Sequence, residues 1–254
     1  MARREGAAVV LFMDDAACRA LNALNRAFYA QAAENFDESR GRPWNGWRRL
    51  LPYLEQLPAP RRVLDLACGN GRFGRFLARN LSDVHYHGTD NNAALLESAR
   101  RAFAKMDVLH DARLELHDLL ESPLPEGTYE LVALFGVLHH VPSLARRLSL
   151  VRQAAERVAQ GGLLVFTSWC FYDHARFRER LIALPAEYGA ERGDWLMDWR
   201  RGHAANHLLR YCHHVDETEQ RALEAATQLT LVETFYADGH TDNINRYSIL
   251  RRLY

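Results

Sequence analysis

Residues 61–80 run RRVLDLACGNGRFGRFLARN, a strand, a glycine turn and a helix in quick succession. Gly69, Gly71 and Gly74 spell GxGxxG, which on its own would suit any dinucleotide enzyme. The strand, however, ends in Asp65 beside the turn, where a nicotinamide or flavin cofactor would set its diphosphate against the helix N-terminus. A carboxylate there repels a diphosphate. It attracts the ammonium and sulfonium of S-adenosylmethionine, which has no phosphate, so the charge pattern selects that cofactor.

Downstream, strand-like runs at 84–88, 113–116, 131–135 and 163–168 alternate with helical patterns at 93–105 and 143–159. Such alternation implies right-handed crossovers and a parallel sheet covered on both faces. The runs at 229–236 and 245–253 flank the turn-prone Asp238-Gly239 and are expected to pair as an antiparallel closing hairpin. Upstream, helices are expected over 17–35 and 47–56, parted by the polar loop 37–43. The Trp- and Arg-rich segment 171–210 fits no strand and is expected to be an insertion on the substrate side. The expected fold is therefore α/β, with a Rossmann-like, seven-stranded, mostly parallel sheet, helices on both faces and a C-terminal hairpin. One domain spans 1–254: a helical cap (1–60), a cofactor-binding core (61–170), the insertion (171–210) and a closing helix and hairpin (211–254).

Composition agrees with a globular enzyme, at 48% hydrophobic and 25% charged. The 32 basic and 32 acidic residues cancel, so only a local patch could attach the chain to nucleic acid or anionic lipid. Cys18, Cys68, Cys170 and Cys212 form no CxxC, which points to a reducing, cytoplasmic setting with no disulfide framework. The apolar stretch 6–13 is closed by Asp14 and Asp15 without a convincing cleavage site, and no run reaches the ~18 apolar residues of a membrane span. No metal site is expected. His203 and His207 stand four apart, but no third ligand accompanies them.

Further ligands follow from strand ends. Asp90, nineteen residues beyond Gly71, can accept hydrogen bonds from the ribose hydroxyls, and Asn91 can add the adenine edge. Asp118 can take the adenine amine while Leu119 covers the ring; a turn cap is the rival reading of Asp118. Phe135 reaches the same carboxyl edge, either as a cofactor wall or as plain core.

The set DLACGNG (65–71), TDNN (89–92), HDLL (117–120) and LFGVLHHV (134–141) resembles the class I methyltransferase superfamily over 61–169. Ala67 departs from the first glycine of many members, but its small side chain should still admit the cofactor. The flanks FYAQAAENFDESRGRPW (28–44), GDWLMDWRRG (193–202), LLRYCHHV (208–215) and FYADGHTDNINRYSIL (235–250) are similar to the tRNA wobble-uridine carboxymethyl methyltransferase family. That resemblance implies esterification of 5-carboxymethyluridine in tRNA and a small zinc-binding activator subunit as partner.

A carboxylate acceptor is already ionised and needs positioning rather than a base. Arg40 and Arg210 are the candidates to grip it, with Arg40 also placed in the cofactor set. Tyr29 and Trp44 would close over the cofactor or stack on a base, or else simply pack on the sheet. A rival reading is a small-molecule O-, N- or C-methyltransferase using His139 or His140 as base, although a neutral imidazole capping the next helix would also explain the pair. His213-His214 could line the acceptor pocket or equally well be packing. Arg48-Arg49, Arg200-Arg201 and Arg251-Arg252 could meet RNA phosphate or be solvated faces. A third reading, from another class, is a catalytically silent scaffold on the same fold, against which the complete cofactor ring argues.

Overall fold

A computed structural model describes residues 13–39 (main chain only over 33–39), 42–106, 109, 112–199 and 208–254. Arg40, His203, His207 and the Arg200-Arg201 cluster lie outside the described residues. The elements run α1 (Asp15–Ser39), α2 (Asn45–Leu54), β1 (Arg61–Leu66), α3 (Arg72–Asn80), β2 (Val84–Asp90), α4 (Ala93–Phe103), β3 (Arg113–Leu116), β4 (Tyr129–Leu134), α5 (Leu144–Glu156) and β5 (Val158–Trp169). A short helix α6 (Ala175–Arg178) and three strands follow, β6 (Leu181–Ala183), β7 (Asp194–Trp199) and β8 (Leu208–His213). The chain then forms α7 (Glu217–Ala226), β9 (Thr230–Ala237) and β10 (Asn245–Arg251).

Seven strands make one sheet in the order β3-β2-β1-β4-β5-β10-β9. The first five are parallel, and β10 lies antiparallel between β5 and β9, so the expected sheet and closing hairpin are both present. β1 is covered on both faces because its side chains alternate. Val63 joins the layer under α2, α3 and α4 with Trp47, Phe76 and Phe103, while Leu64 and Leu66 join Leu150, Val151 and Leu223 under α5 and α7. In register, Leu66 stands beside Thr89 of β2 and Leu134 of β4. The parallel strands therefore deliver their carboxyl ends to one edge.

Two expectations change. The segment read as strandless forms a second, three-stranded antiparallel sheet, β6-β7-β8. The helix expected over 143–159 stops at Glu156, and β5 begins at Val158, because Gly161 takes a positive φ and a register shift against β4 lets the strand start early. Among the described residues no helix is long and apolar enough to cross a membrane.

Candidate active site

A cavity of about 540 Å³ opens at the carboxyl edge, within the size range of small-molecule sites. Its cofactor half is built by the turn after β1. Cys68 N–H donates to the Thr89 carbonyl at 2.8 Å, Gly69 and Gly71 adopt positive φ, and a Cβ added to Gly69 would meet nothing within 4 Å. The turn thus presents bare backbone to open space, the approach that a bound ligand needs. Gly71 is required for another reason: a Cβ there would lie 2.6 Å from Phe103. Ala67 also holds a left-handed φ of 61°, a conformation costing an L-residue roughly 1–2 kcal/mol. The missing first glycine is therefore tolerated through strain.

Asp65 and Asp90 are both buried and line this half. Burial lifts Asp65 to about 7, with Asp90 pushing the same way and the Tyr86 hydroxyl, 2.5 Å away, and Arg72 opposing. Asp90 rises to about 6, again through burial, although it accepts backbone N–H bonds from Asn92 at 2.9 Å and Gly69 at 2.8 Å. Adjacent buried carboxylates suit a cationic ligand and disfavour a diphosphate. Asp118 accepts from Asn22, Arg26 and Asn91 side chains at 3.2–3.4 Å and from Leu120 N–H at 3.0 Å. It is a turn cap, as one of the two readings had it, and it also lines the cavity. Asn91, Leu119, Phe135, Ala67 and Trp44 line the same space. Trp44 stacks on Trp47 at 5.4 Å, and Phe135 meets Phe73 edge-on at 4.7 Å, so these walls are also packing.

The other half is largely aromatic and carries Arg210 together with the buried Asp198. Arg210, 4% exposed, places its guanidinium 5.1–5.4 Å from the rings of Phe28, Trp169 and Trp199. It donates to Tyr29 Oη at 3.3 Å and weakly to Met197 Sδ at 3.6 Å; its Nε has no hydrogen-bond partner, and no carboxylate among the described residues pairs with it. An enclosed cation without a counter-ion is costly, and an incoming anion would satisfy it. Arg180 lines the same half.

Helix α1 roofs both halves. Asn25 accepts from Tyr211 N–H at 2.8 Å, and Asn92 donates to the Tyr29 carbonyl at 2.9 Å. His140 Nδ1 stands 2.9 Å from the Tyr211 carbonyl, which can only accept, so this nitrogen carries the proton. In the neutral ring Nε2 then accepts from the Tyr29 hydroxyl at 2.7 Å. The next helix is capped instead by Ser143 Oγ, so His140 does not serve as its cap. His139 lines the cavity, 4.0 Å from His140 and 5.0 Å from Trp169 between ring centroids.

His213 and His214 do not line the cavity, which leaves the packing reading of the pair. His213 instead donates to Asp194 Oδ1 at 2.7 Å and Glu219 Oε2 at 2.8 Å, while the buried Arg147 bonds Glu219 at 2.5 Å and Glu191 at 2.8 Å. The network fastens β7 and β8 to α5 and α7. Glu191, Asp194 and His213 could in principle surround a metal, but the Arg147 cation and the two His213 hydrogen bonds already occupy their ligand atoms. The sequence did not single out Asn25, Phe28, Trp169 or Trp199. Asn25, Phe28 and Tyr29 do share one helical face by spacing, the signal that could have found them.

Residues 64–164 match a family model described as a methyltransferase domain. That stretch is thus similar to methyltransferase domains. Over 141 residues the chain is 26% identical to a tRNA (carboxymethyluridine(34)-5-O)-methyltransferase of Saccharomyces cerevisiae, covering 56% of this chain and 46% of that protein. A 27-O-demethylrifamycin SV methyltransferase of Amycolatopsis mediterranei is 29% identical, covering 56% and 49%. The chain thus spans about half the length of these curated relatives. The fold of the methyltransferase domain and its flanks matches that of magnesium protoporphyrin IX methyltransferase from Synechocystis PCC 6803 with bound S-adenosylmethionine, with a TM-score of 0.62, 13% identity and coverage of 91% and 96%. Asp65, Ala67, Gly69, Asp90 and Asp118 line the cavity at the carboxyl edge of the sheet in this fold.

Proposed function

We propose that the protein transfers a methyl group to a carboxylate gripped by Arg210, with the carboxymethyl group of a tRNA wobble uridine as the acceptor. The observation that supports the reading is the buried Arg210 guanidinium, which pairs with no carboxylate among the described residues and lines the same cavity as Asp65 and Asp90. S-adenosylmethionine supplies an electrophilic methyl on sulfur. Asp90 and Asp118 hold its ribose and adenine, and Asp65 faces its ammonium. Arg210 orients the acceptor carboxylate by charge-assisted bonds, and the rings of Phe28, Trp169 and Trp199 exclude water around it. No base is required, since a carboxylate is ionised near neutral pH. The relative named for carboxymethyluridine lends the acceptor its identity, and a small activator subunit belongs to the same reading.

A second reading rests on the Tyr29–His140 pair. Its hydrogen bond of 2.7 Å, backed by the Tyr211 carbonyl, is the arrangement of a phenol readied to pass a proton, as methylation of a hydroxyl would need. The rifamycin relative acts in that class by name. Labelled S-adenosylmethionine offered with carboxymethyluridine tRNA, with and without an activator, and with hydroxylated small molecules decides between them. Ester formation on tRNA that survives Tyr29→Phe supports the first reading. Transfer to a hydroxyl alone, abolished by Tyr29→Phe, rejects it, and failure to bind S-adenosylhomocysteine would restore the scaffold.

A further inference from the structure

The half of the cavity that holds Arg210 has a second cation, which the methyl transfer does not use. Arg180 lines that half, partly buried, and its guanidinium makes no hydrogen bond, ion pair or ring contact with any described residue. Its main chain, by contrast, is fixed on both sides. Arg180 N–H donates to the Phe177 carbonyl at 2.9 Å, and the Arg180 carbonyl accepts from Asp198 N–H at 3.1 Å. The second sheet sets its place relative to Arg210. Leu181 of β6 stands beside Met197 of β7, and Met197 beside Arg210 of β8, so one row crosses the three strands. At about 4.8 Å per strand spacing, the backbone next to Arg180 lies about 10 Å from that of Arg210.

Two guanidinium groups with this separation, lining one cavity, suit a ligand that carries two anions. Asp198 brings a carboxylate to the same half, so a second anion is admitted only where it meets its own cation. A carboxymethyl group on C5 of a pyrimidine supplies the first anion. In an anti nucleotide the C5–C6 edge lies on the same side of the base as the 5′-phosphate, so the acceptor's own covalent structure supplies the second. The difference in burial favours a phosphodiester over a second carboxylate. Arg210 is 4% exposed and encloses the end of a ligand, whereas Arg180 keeps contact with solvent, where an RNA chain can continue away from the cavity. A small dicarboxylic acid needs no such opening.

We propose that Arg180 forms a second anion subsite, which takes the 5′-phosphodiester of the nucleotide whose carboxymethyl group Arg210 holds. The inference rests on the tRNA reading for the first anion. Its test is a binding cycle, kept separate from methylation and read by fluorescence anisotropy with S-adenosylhomocysteine present. Two labelled anticodon stem-loop RNAs carry 5-carboxymethyluridine, one with a normal phosphodiester on its 5′ side and one with an uncharged methylphosphonate there. Each is titrated with the intact protein, Arg180→Gln and Arg180→Lys. Arg180→Gln should bind the normal RNA about tenfold more weakly, the loss of one charge-assisted contact. Arg180→Lys should recover part of that loss, because a phosphate also accepts a point charge. Neither variant should differ from the intact protein on the methylphosphonate RNA, and the intact protein should itself prefer the normal RNA about tenfold, a comparison that needs no variant to fold. Calorimetry should give the same affinity for S-adenosylhomocysteine in all three proteins. Equal losses on the two RNAs, or no loss on either, overturn the subsite and leave the tRNA reading standing. Binding of neither RNA by the intact protein sinks the tRNA reading and the subsite with it, as does Arg180-dependent binding of succinate alone.

Discussion

Replacing Arg210 by methionine should separate stability from activity. The substitution keeps much of the side chain's length and removes its charge. In the folded protein the guanidinium is 4% exposed and pairs with no carboxylate among the described residues, a desolvation cost of several kcal/mol. Against this stand three ring contacts at 5.1–5.4 Å, each contributing about 0.5–2 kcal/mol, and the bond to Tyr29. The two sides nearly cancel, so Arg210→Met should melt within about 2 kcal/mol of the parent. Acceptor recognition has no such cancellation. Two charge-assisted bonds to a carboxylate, at about 1.5–3 kcal/mol each, make a loss of kcat/KM of at least 100-fold the expected result. The assay uses labelled S-adenosylmethionine with carboxymethyluridine tRNA, alongside thermal melts and calorimetry with S-adenosylhomocysteine. The reasoning fails if turnover stays within about threefold of the parent, or if cofactor binding and stability collapse together.

Two further outcomes concern pH. Asp65 at about 7 and Asp90 at about 6 are partly protonated in the free protein and must ionise to face a cationic ligand. Cofactor affinity should therefore rise from pH 5 to 7.5 with measurable proton release in paired-buffer calorimetry, and Asp65→Asn should remove the upper part of that rise; a flat profile refutes the assignment. For His213, burial lowers the pKa but the bonds to Asp194 and Glu219 outweigh it, so the folded value is raised. Its stabilisation is full below the unfolded value of about 6.5 and fades as pH climbs through the folded one. His213→Ala should cost about 3–5 kcal/mol at pH 6 and abolish the alkaline decline in Tm, and an unchanged melt at pH 6 would show the network to be idle.

The parallel sheet and the cofactor half were legible because local patterns determine them. Asp65 and Asp90 lie at the carboxyl ends of β1 and β2 and Asp118 just after β3, and parallel register brings such positions to one edge. The three-stranded insertion was hidden by the three-residue β6 and by Gly189 and Gly193, which part it from β7, although Trp195, Met197 and Trp199 alternate along β7. The cage around Arg210 could not be read at all. Phe28, Trp169 and Trp199 belong to α1, β5 and β7, and their meeting depends on how the second sheet packs beneath the first helix.

The placing of β10 between β5 and β9 has a consequence for assembly. A strand that comes after its sheet neighbours in the chain must slot into the middle of the sheet rather than be added at its rim. Asn245, which pairs with Trp169 on one side and Ala237 on the other, also walls the cofactor cavity, as do Ile244 and Gly239 just before it. During synthesis, β9 thus leaves the ribosome with no strand beside it, and a nascent chain halted before Asn245 has an unclosed sheet and an incomplete cavity wall.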